Sequence, residues 1–159
     1  MADIIDQIIN SEGGDKVTND PSDSGHLTKW GIAQSAHPDV DILHLTYEGA
    51  RAIYIDTYLT KSGIAKLEPE FLRNQVLDFA VNAGVERAIN TLQGILGVAR
   101  DGVIGPATLA ALAARDAKAV NNLYVTARRQ FYYHLAETRP KDKKYLKGWL
   151  RRAQGFYLP

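Results

Sequence analysis

Glu12 is the first residue whose position suggests chemistry. It follows Ile8 by four residues and Ile9 by three, which puts it on the apolar face of a helix that begins near Ile4. It also falls in the last turn of that helix, at the negative end of the macrodipole. Burial and dipole both favour a neutral carboxyl group, and a carboxyl group that stays protonated near neutrality can serve as a general acid. Gly13 and Gly14 follow and leave room for a ligand to approach. The plain alternative is a partly exposed glutamate at a frayed helix end. Asp20, Asp23 and Thr28 come next. On a hairpin packed beside the helix end, Asp20 or Thr28 could face Glu12 across a cleft. Two carboxyl groups on opposite sides of a sugar are what glycoside hydrolysis requires. Asp23 reads first as a turn-former bonded to local backbone N–H groups, and Asp20 fits either role.

Two further polar residues interrupt apolar helix patterns. Asn82 and Gln93 are expected to line a cleft, the alternative for each being a satisfied buried amide. Other chemistries find no support. His26, His37, His44 and His134 lack metal-ligand spacing such as HExxH, and no GxSxG elbow, phosphate loop or GxGxxG fingerprint occurs. No metal or other cofactor is expected. Aromatic and basic residues interleave near the end of the chain, with Tyr124, Phe131, Tyr132, Tyr133, Trp149 and Tyr157 among Arg128, Arg129, Arg151 and Arg152. Such a pattern could stack and hold single-stranded nucleic acid. Tyr124 and Phe131 belong to a core stripe, however, and a pI near 7.9 is low for a dedicated binder, so no nucleic-acid partner is expected.

The elements that must position these groups follow from periodicity and punctuation. Ile4, Ile5, Ile8 and Ile9 mark a helix stripe that Gly13-Gly14 ends. Residues 17–20 read as a short strand, 21–25 as a turn and 28–32 as the returning strand, the single hairpin expected. Beyond residue 45 the pattern is helical. Thr46 can cap a helix carrying Ala50, Ile53, Tyr54 and Tyr58. Pro69 suits the first turn of another, with Leu72, Val76, Phe79 and Ala83 on one face. Ala88, Ile89, Leu92 and Leu96 continue in a third closed by Gly97, and residues 101–106 form a tight loop into a short helix. Asp116 caps the longest helix, whose stripe reads Val120, Leu123, Tyr124, Ala127, Phe131 and Leu135. Pro140 breaks it, and Tyr145, Leu146, Trp149 and Leu150 mark a last helix.

Composition sets the outer bounds. The chain has 159 residues, 45% hydrophobic and 23% charged, which suits one globular domain and excludes wholesale disorder. There is no cysteine, so disulfide scaffolds, thiol nucleophiles and thiolate zinc clusters are excluded. No apolar run is long enough for a membrane span, and no signal-peptide pattern is read at the N-terminus. Synthesis in a cytoplasm is expected, with the place of action left open. A formal charge of +1 conceals an asymmetry: residues 115–159 carry 11 basic and 3 acidic side chains, and residues 1–114 carry 8 and 15. The basic end could be a solvated helix surface or a patch that rests on an anionic cell envelope.

Several stretches together resemble glycoside hydrolase family 108. They are Ser11-Glu12-Gly13-Gly14, Asn19-Asp20-Pro21, Asp23-Ser24-Gly25 and Thr28-Lys29-Trp30-Gly31-Ile32, followed by Asp78-Phe79-Ala80-Val81-Asn82-Ala83-Gly84. The segment from Leu92-Gln93 through Asp101-Gly102-Val103-Ile104-Gly105-Pro106-Ala107-Thr108 resembles the peptidoglycan-binding-type region joined to that family, and Lys147-Gly148-Trp149-Leu150-Arg151-Arg152 resembles its usual close. The opening departs from the family pattern in one respect. Ser24-Gly25 replaces a glycine pair, and His26-Leu27 stands before Thr28 where the pattern has one residue.

The resemblance implies an N-acetylmuramidase of the lysozyme-like superfamily, cleaving the β-1,4 bond between N-acetylmuramic acid and N-acetylglucosamine. It assigns Glu12 as the catalytic acid. Asp20 resembles the hairpin aspartate of phage-type lysozymes, Thr28 lies near their threonine, and Asp23 matches the family's own aspartate as an organiser of the loop. The expected architecture is a single lysozyme-like α+β domain over 1–159, mostly helical, with a motif-bearing lobe at 1–96 and a helical peptidoglycan-binding-type lobe at 97–159. The expected partner is the peptidoglycan glycan strand, met by a monomer. The expected role is that of a phage endolysin, made without a signal peptide and acting on the bacterial wall. A lytic transglycosylase, a non-catalytic peptidoglycan-binding protein and a membrane-active protein using Arg128, Arg129, Arg151 and Arg152 are the alternatives.

Overall fold

Asp3 opens the first helix by satisfying backbone donors that a helix start leaves free. Its carboxylate accepts from Asp6 N–H at 3.0 Å, and the Asp6 carboxylate reaches back to Asp3 N–H at 3.3 Å, a reciprocal cap. Helix α1 (Ile4–Ser11) then buries Ile5, Ile8 and Ile9, as the isoleucine spacing predicts. The computed structural model describes residues 3–19 and 27–159. It divides into two compact units, residues 1–61 and 62–159. The 96/97 division drawn from the sequence lies inside the second of them.

In the first unit, a small antiparallel sheet of strands β1 (Thr18–Asn19), β2 (Leu27–Lys29) and β3 (Ile32–Ala33) follows α1 in the order β1-β2-β3. Thr18 faces Thr28 across one ladder, and Thr28 faces Ala33 across the other. The expected return strand over 28–32 is thus two strands. The break falls at Trp30 and Gly31, whose φ angles of 55° and 76° lie in the left-handed region and reverse the chain. Helix α2 (Tyr47–Tyr54) starts at Thr46, whose hydroxyl accepts from Gly49 N–H at 3.1 Å. It continues into a π-helical turn, Ile55–Thr60. Tyr47 Oη donates to Asp6, and Arg51 pairs with Asp3, so α2 is tied to the start of α1. Ile32, Ile42, Leu45, Ala50 and Tyr54 complete the core of this unit with the isoleucines of α1.

The second unit is helical. After a 3-10 turn, Ile64–Lys66, come α3 (Glu70–Ala83), α4 (Val85–Leu96), α5 (Pro106–Ala113), α6 (Ala117–Thr138) and α7 (Leu146–Gln154), with a further 3-10 turn, Pro140–Tyr145, between the last two. The punctuation read from the sequence is present: Gly97 is left-handed at φ 72°, Pro106 starts α5, and Asp116 accepts from Lys118 N–H. Helix α3 is buried on most of its circumference, from Leu72 through Gln75–Ala80. Gln75 donates to the Asn121 backbone oxygen at 3.0 Å, and Tyr124 Oη donates to the Ala88 carbonyl at 2.8 Å, joining α6 to α3 and α4. Among the described residues, no helix is long and apolar enough to cross a membrane.

Helix α6 departs from the expected stripe. Its buried residues are Val120, Asn121, Tyr124, Val125, Arg128, Tyr132 and Ala136, while Leu123 is 54% exposed. Arg128 is fully buried, its Nη2 2.8 Å from Asp78 Oδ2 on α3. Arg152 of α7 grips the same carboxylate through Nε at 3.1 Å and Nη2 at 2.9 Å. These two arginines, read from the sequence as candidates for an anionic surface, are instead spent on an internal carboxylate. Arg128 Nε and Nη1 have no hydrogen-bond partner among the described residues, and the guanidinium carbon lies 4.9 Å from the Phe79 centroid and 5.5 Å from that of Phe156.

Candidate active site

Glu12 is the C-cap of α1, half-buried, with its backbone N–H shared between the carbonyls of Ile8 at 3.0 Å and Ile9 at 3.2 Å. Gly14 N–H reaches back to Ile9 at 3.3 Å and closes the helix end. Gly13 and Gly14 take φ angles of 109° and 60°, and a Cβ at either position would meet nothing within 4 Å among the described residues. Backbone conformation therefore demands these glycines, and no described residue fills the space beside them.

The opposite side of Glu12 is closed. Trp30 N–H donates to the Gly14 carbonyl at 3.0 Å, which pins the β2–β3 turn onto the helix end. A Cβ on Gly31 would stand 2.7 Å from Glu12 Cβ and would run into Tyr54 Oη, so only glycine fits. Tyr54 Oη donates to the Trp30 carbonyl at 2.9 Å, and the Trp30 indole donates to Leu45 O at 3.1 Å. Tyr58, on the π-helical turn, stacks on Tyr54 with centroids 5.7 Å apart. Burial pushes the Tyr58 phenol above its ordinary value, and the charge of Glu12 pushes in the same direction. Tyr58 thus stays a neutral hydroxyl close enough to Glu12 to feel its charge. Sequence reading placed Tyr58 on the apolar face of a helix and missed this proximity. Its i, i+4 spacing from Tyr54 was the available signal.

Thr28 lies in the middle of the sheet, paired on both sides, half-buried and two residues from the pinned turn. Asp20 and Asp23 lie outside the described residues.

Asn82 and Gln93 belong to the second unit. Asn82 accepts a hydrogen bond from Tyr132 Oη and borders a surface cavity of about 270 Å³ that Arg87, Phe131, Arg139 and Trp149 also line. Gln93 is fully buried. Its amide nitrogen donates to Asp101 Oδ1 at 2.8 Å, Val103 O at 3.0 Å and Thr108 Oγ1 at 3.2 Å, and its oxygen accepts from Gly102 N–H at 3.0 Å. These bonds use the whole amide to fasten the 101–105 loop and the first turn of α5 onto α4. The Val103 N–H and then the Gln93 amide hold the Asp101 carboxyl below its ordinary value.

Comparison with known proteins places this arrangement. The family model described as Glycosyl hydrolase 108 matches residues 5–84, and the one described as Predicted Peptidoglycan domain matches residues 87–154. The solved structure of SagA from Brucella abortus is similar, at 29% identity and a TM-score of 0.72 over 96% of this chain and 92% of that one. No curated protein matches the chain.

Proposed function

Since the chain belongs to the glycosyl hydrolase 108 family and is a peptidoglycan hydrolase of lysozyme-like α+β fold, we propose that it is an N-acetylmuramidase with Glu12 as its general acid. The substrate bond is the β-1,4 linkage from N-acetylmuramic acid to N-acetylglucosamine. Glu12 protonates the leaving glycosidic oxygen. Asp20, with Thr28, holds or activates a water on the opposite face of the sugar, and displacement by that water inverts the anomeric centre. Asp23 organises the loop. The biological setting is host lysis by a phage endolysin.

One observation carries this reading. Glu12 ends a helix with no described residue crowding its glycine side and a packed wall of Gly31, Tyr54 and Trp30 on the other. A glycan can approach such a carboxyl group from one direction, and the wall holds it in place. Tyr58 and the Tyr54 ring below it keep a neutral, largely apolar floor beside the carboxyl group. Removing a positioned general acid lowers turnover by about 10²–10⁴-fold.

The test is digestion of purified sacculi by the wild type and by Glu12→Gln, with the released fragments identified by mass spectrometry. Reducing-end muramic acid from the wild type, and a folded variant that falls by about 10²–10⁴-fold, is the expected result. Anhydro-muramic products would make the enzyme a lytic transglycosylase acting through the same acid. Absence of glycan cleavage by the wild type would leave a peptidoglycan-binding protein and overturn the proposal.

A further inference from the structure

Helix α4 presents a polar face within the second unit. Glu86, Asn90 and Gly94 recur every four residues, with Arg87 and Thr91 alongside. Most of this face, with Arg100 from the following loop, borders a surface cavity of about 610 Å³ contained within the second unit.

Two guanidinium groups in its lining are exposed yet held from beneath. Arg87 lies 4.5 Å from the centroid of the Phe131 ring and donates through Nη1 to Ala83 O at 3.2 Å. Arg100 rests against the helix at Gly94, where an added Cβ would stand 2.7 Å from its Cζ and 2.8 Å from its Nε. Gly94 is thus the seat of a guanidinium. Arg100 makes no hydrogen bond or ion pair among the described residues, so its planar set of donors is placed without being used. A fixed, unused guanidinium is suited to a carboxylate, which it can bind through two parallel hydrogen bonds.

The remaining lining narrows the ligand class. Asn90 is also in the lining, and its side-chain amide is of a kind that pairs with a peptide N–H or C=O. Glu86 adds a negative charge that opposes a polyphosphate and favours an ammonium or amide nitrogen. Carboxylate and N–H groups side by side describe a peptide better than an unsubstituted sugar. We propose that this cavity binds the stem peptide of peptidoglycan through a carboxylate set between Arg87 and Arg100, an inference that rests on peptidoglycan being the substrate.

The probe is the tripeptide L-alanyl-γ-D-glutamyl-L-lysine as free acid, titrated into the full chain by calorimetry and compared with its bis-amide. The free acid is expected to bind, and the bis-amide to bind at least about tenfold more weakly, the scale of one charge-assisted hydrogen bond. Arg100→Ala should weaken the free acid by a similar factor. Gly94→Val, which evicts the guanidinium without deleting its charge, should do the same, with a thermal melt confirming that each variant is folded. Glu12→Gln should bind the peptide like the wild type. Binding is read without turnover, so a failure of the hydrolysis reading would leave this result standing, and the reverse. Equal affinity for acid and amide, an Arg100→Ala variant that binds normally, or no binding of the free acid would each overturn the proposal.

Discussion

At the scale of single residues, Glu12 was legible because two signals coincided: an apolar stripe that reached it and a glycine pair that stopped the helix behind it. Gly31 was not. Thr28-Lys29-Trp30-Gly31-Ile32 reads as an unbroken strand, and nothing local announces that a tryptophan will take φ 55°. Tertiary bonds hold it there, namely Trp30 N–H to Gly14, the indole to Leu45 and Tyr54 to the Trp30 carbonyl. Gly31→Ala therefore meets two obstacles, a left-handed backbone and a Cβ overlapping Glu12. It is expected to cost about 2–4 kcal/mol of stability and to reduce wall-degrading activity in the fraction that remains folded. Urea denaturation paired with sacculus turbidity clearance measures both. Gln93 shows the converse problem. A polar residue in an apolar stripe signals that its amide is satisfied, and the sequence cannot say whether a ligand or a loop satisfies it.

At the scale of elements, the helices were legible from their ends more than from their faces. Thr46, Gly97, Pro106 and Asp116 all act where their chemistry predicts, because capping is local. The face of α6 was misread because Leu123, Phe131 and Leu135 form a plausible stripe, while the true one runs through Val120, Tyr124, Arg128, Tyr132 and Ala136 and carries a charge. A buried arginine is tolerated only with a partner, and that partner, Asp78, lies 50 positions away. Asp78 joins α3 to α6 and α7 at one point. Asp78→Ala would strand Arg128 in the interior and is expected to cost about 3–5 kcal/mol, the range for breaking a buried pair by removing one side. Arg152→Met, which removes a partly exposed partner, should cost less. Chemical denaturation of the two variants ranks them, and an Asp78→Ala protein as stable as Arg152→Met would refute the assignment.

At the scale of the whole molecule, the charge asymmetry of the sequence persists, though it is smaller at the surface than a count suggests. Two of the eleven basic residues in 115–159 are turned onto Asp78. Helix α6 also covers the apolar faces of α3 and α4, with Tyr124 and Tyr132 edge-on to Phe79 and Tyr124 bonded to the Ala88 carbonyl. Deletion of residues 97–159 should therefore leave an insoluble or unfolded fragment. A soluble 1–96 fragment with a cooperative melt would show that the first 96 residues fold alone. Alkaline pH provides a milder probe. Burial raises the phenols of Tyr58, Tyr124 and Tyr132 above the ordinary value of 10.0. Once the pH passes that value, the unfolded chain gives up protons that the folded one keeps, so unfolding gains ground. Stability should be full below about pH 10 and fall as pH climbs through the folded values. Melting temperatures measured from pH 8 upward test this, and Tyr124→Phe should flatten the decline while losing about 1 kcal/mol at neutral pH with its bond to Ala88.

The two tryptophans fall one to each unit, Trp30 in the turn packed on Glu12 and Trp149 stacked on Tyr132 at 5.5 Å. The molecule therefore carries its own pair of optical reporters. With Trp149 replaced by phenylalanine, the emission follows the neighbourhood of Glu12, and with Trp30 replaced it follows the helical unit. Coincident fluorescence melts would identify one cooperative transition, and separated melts would give the order in which the two units come apart.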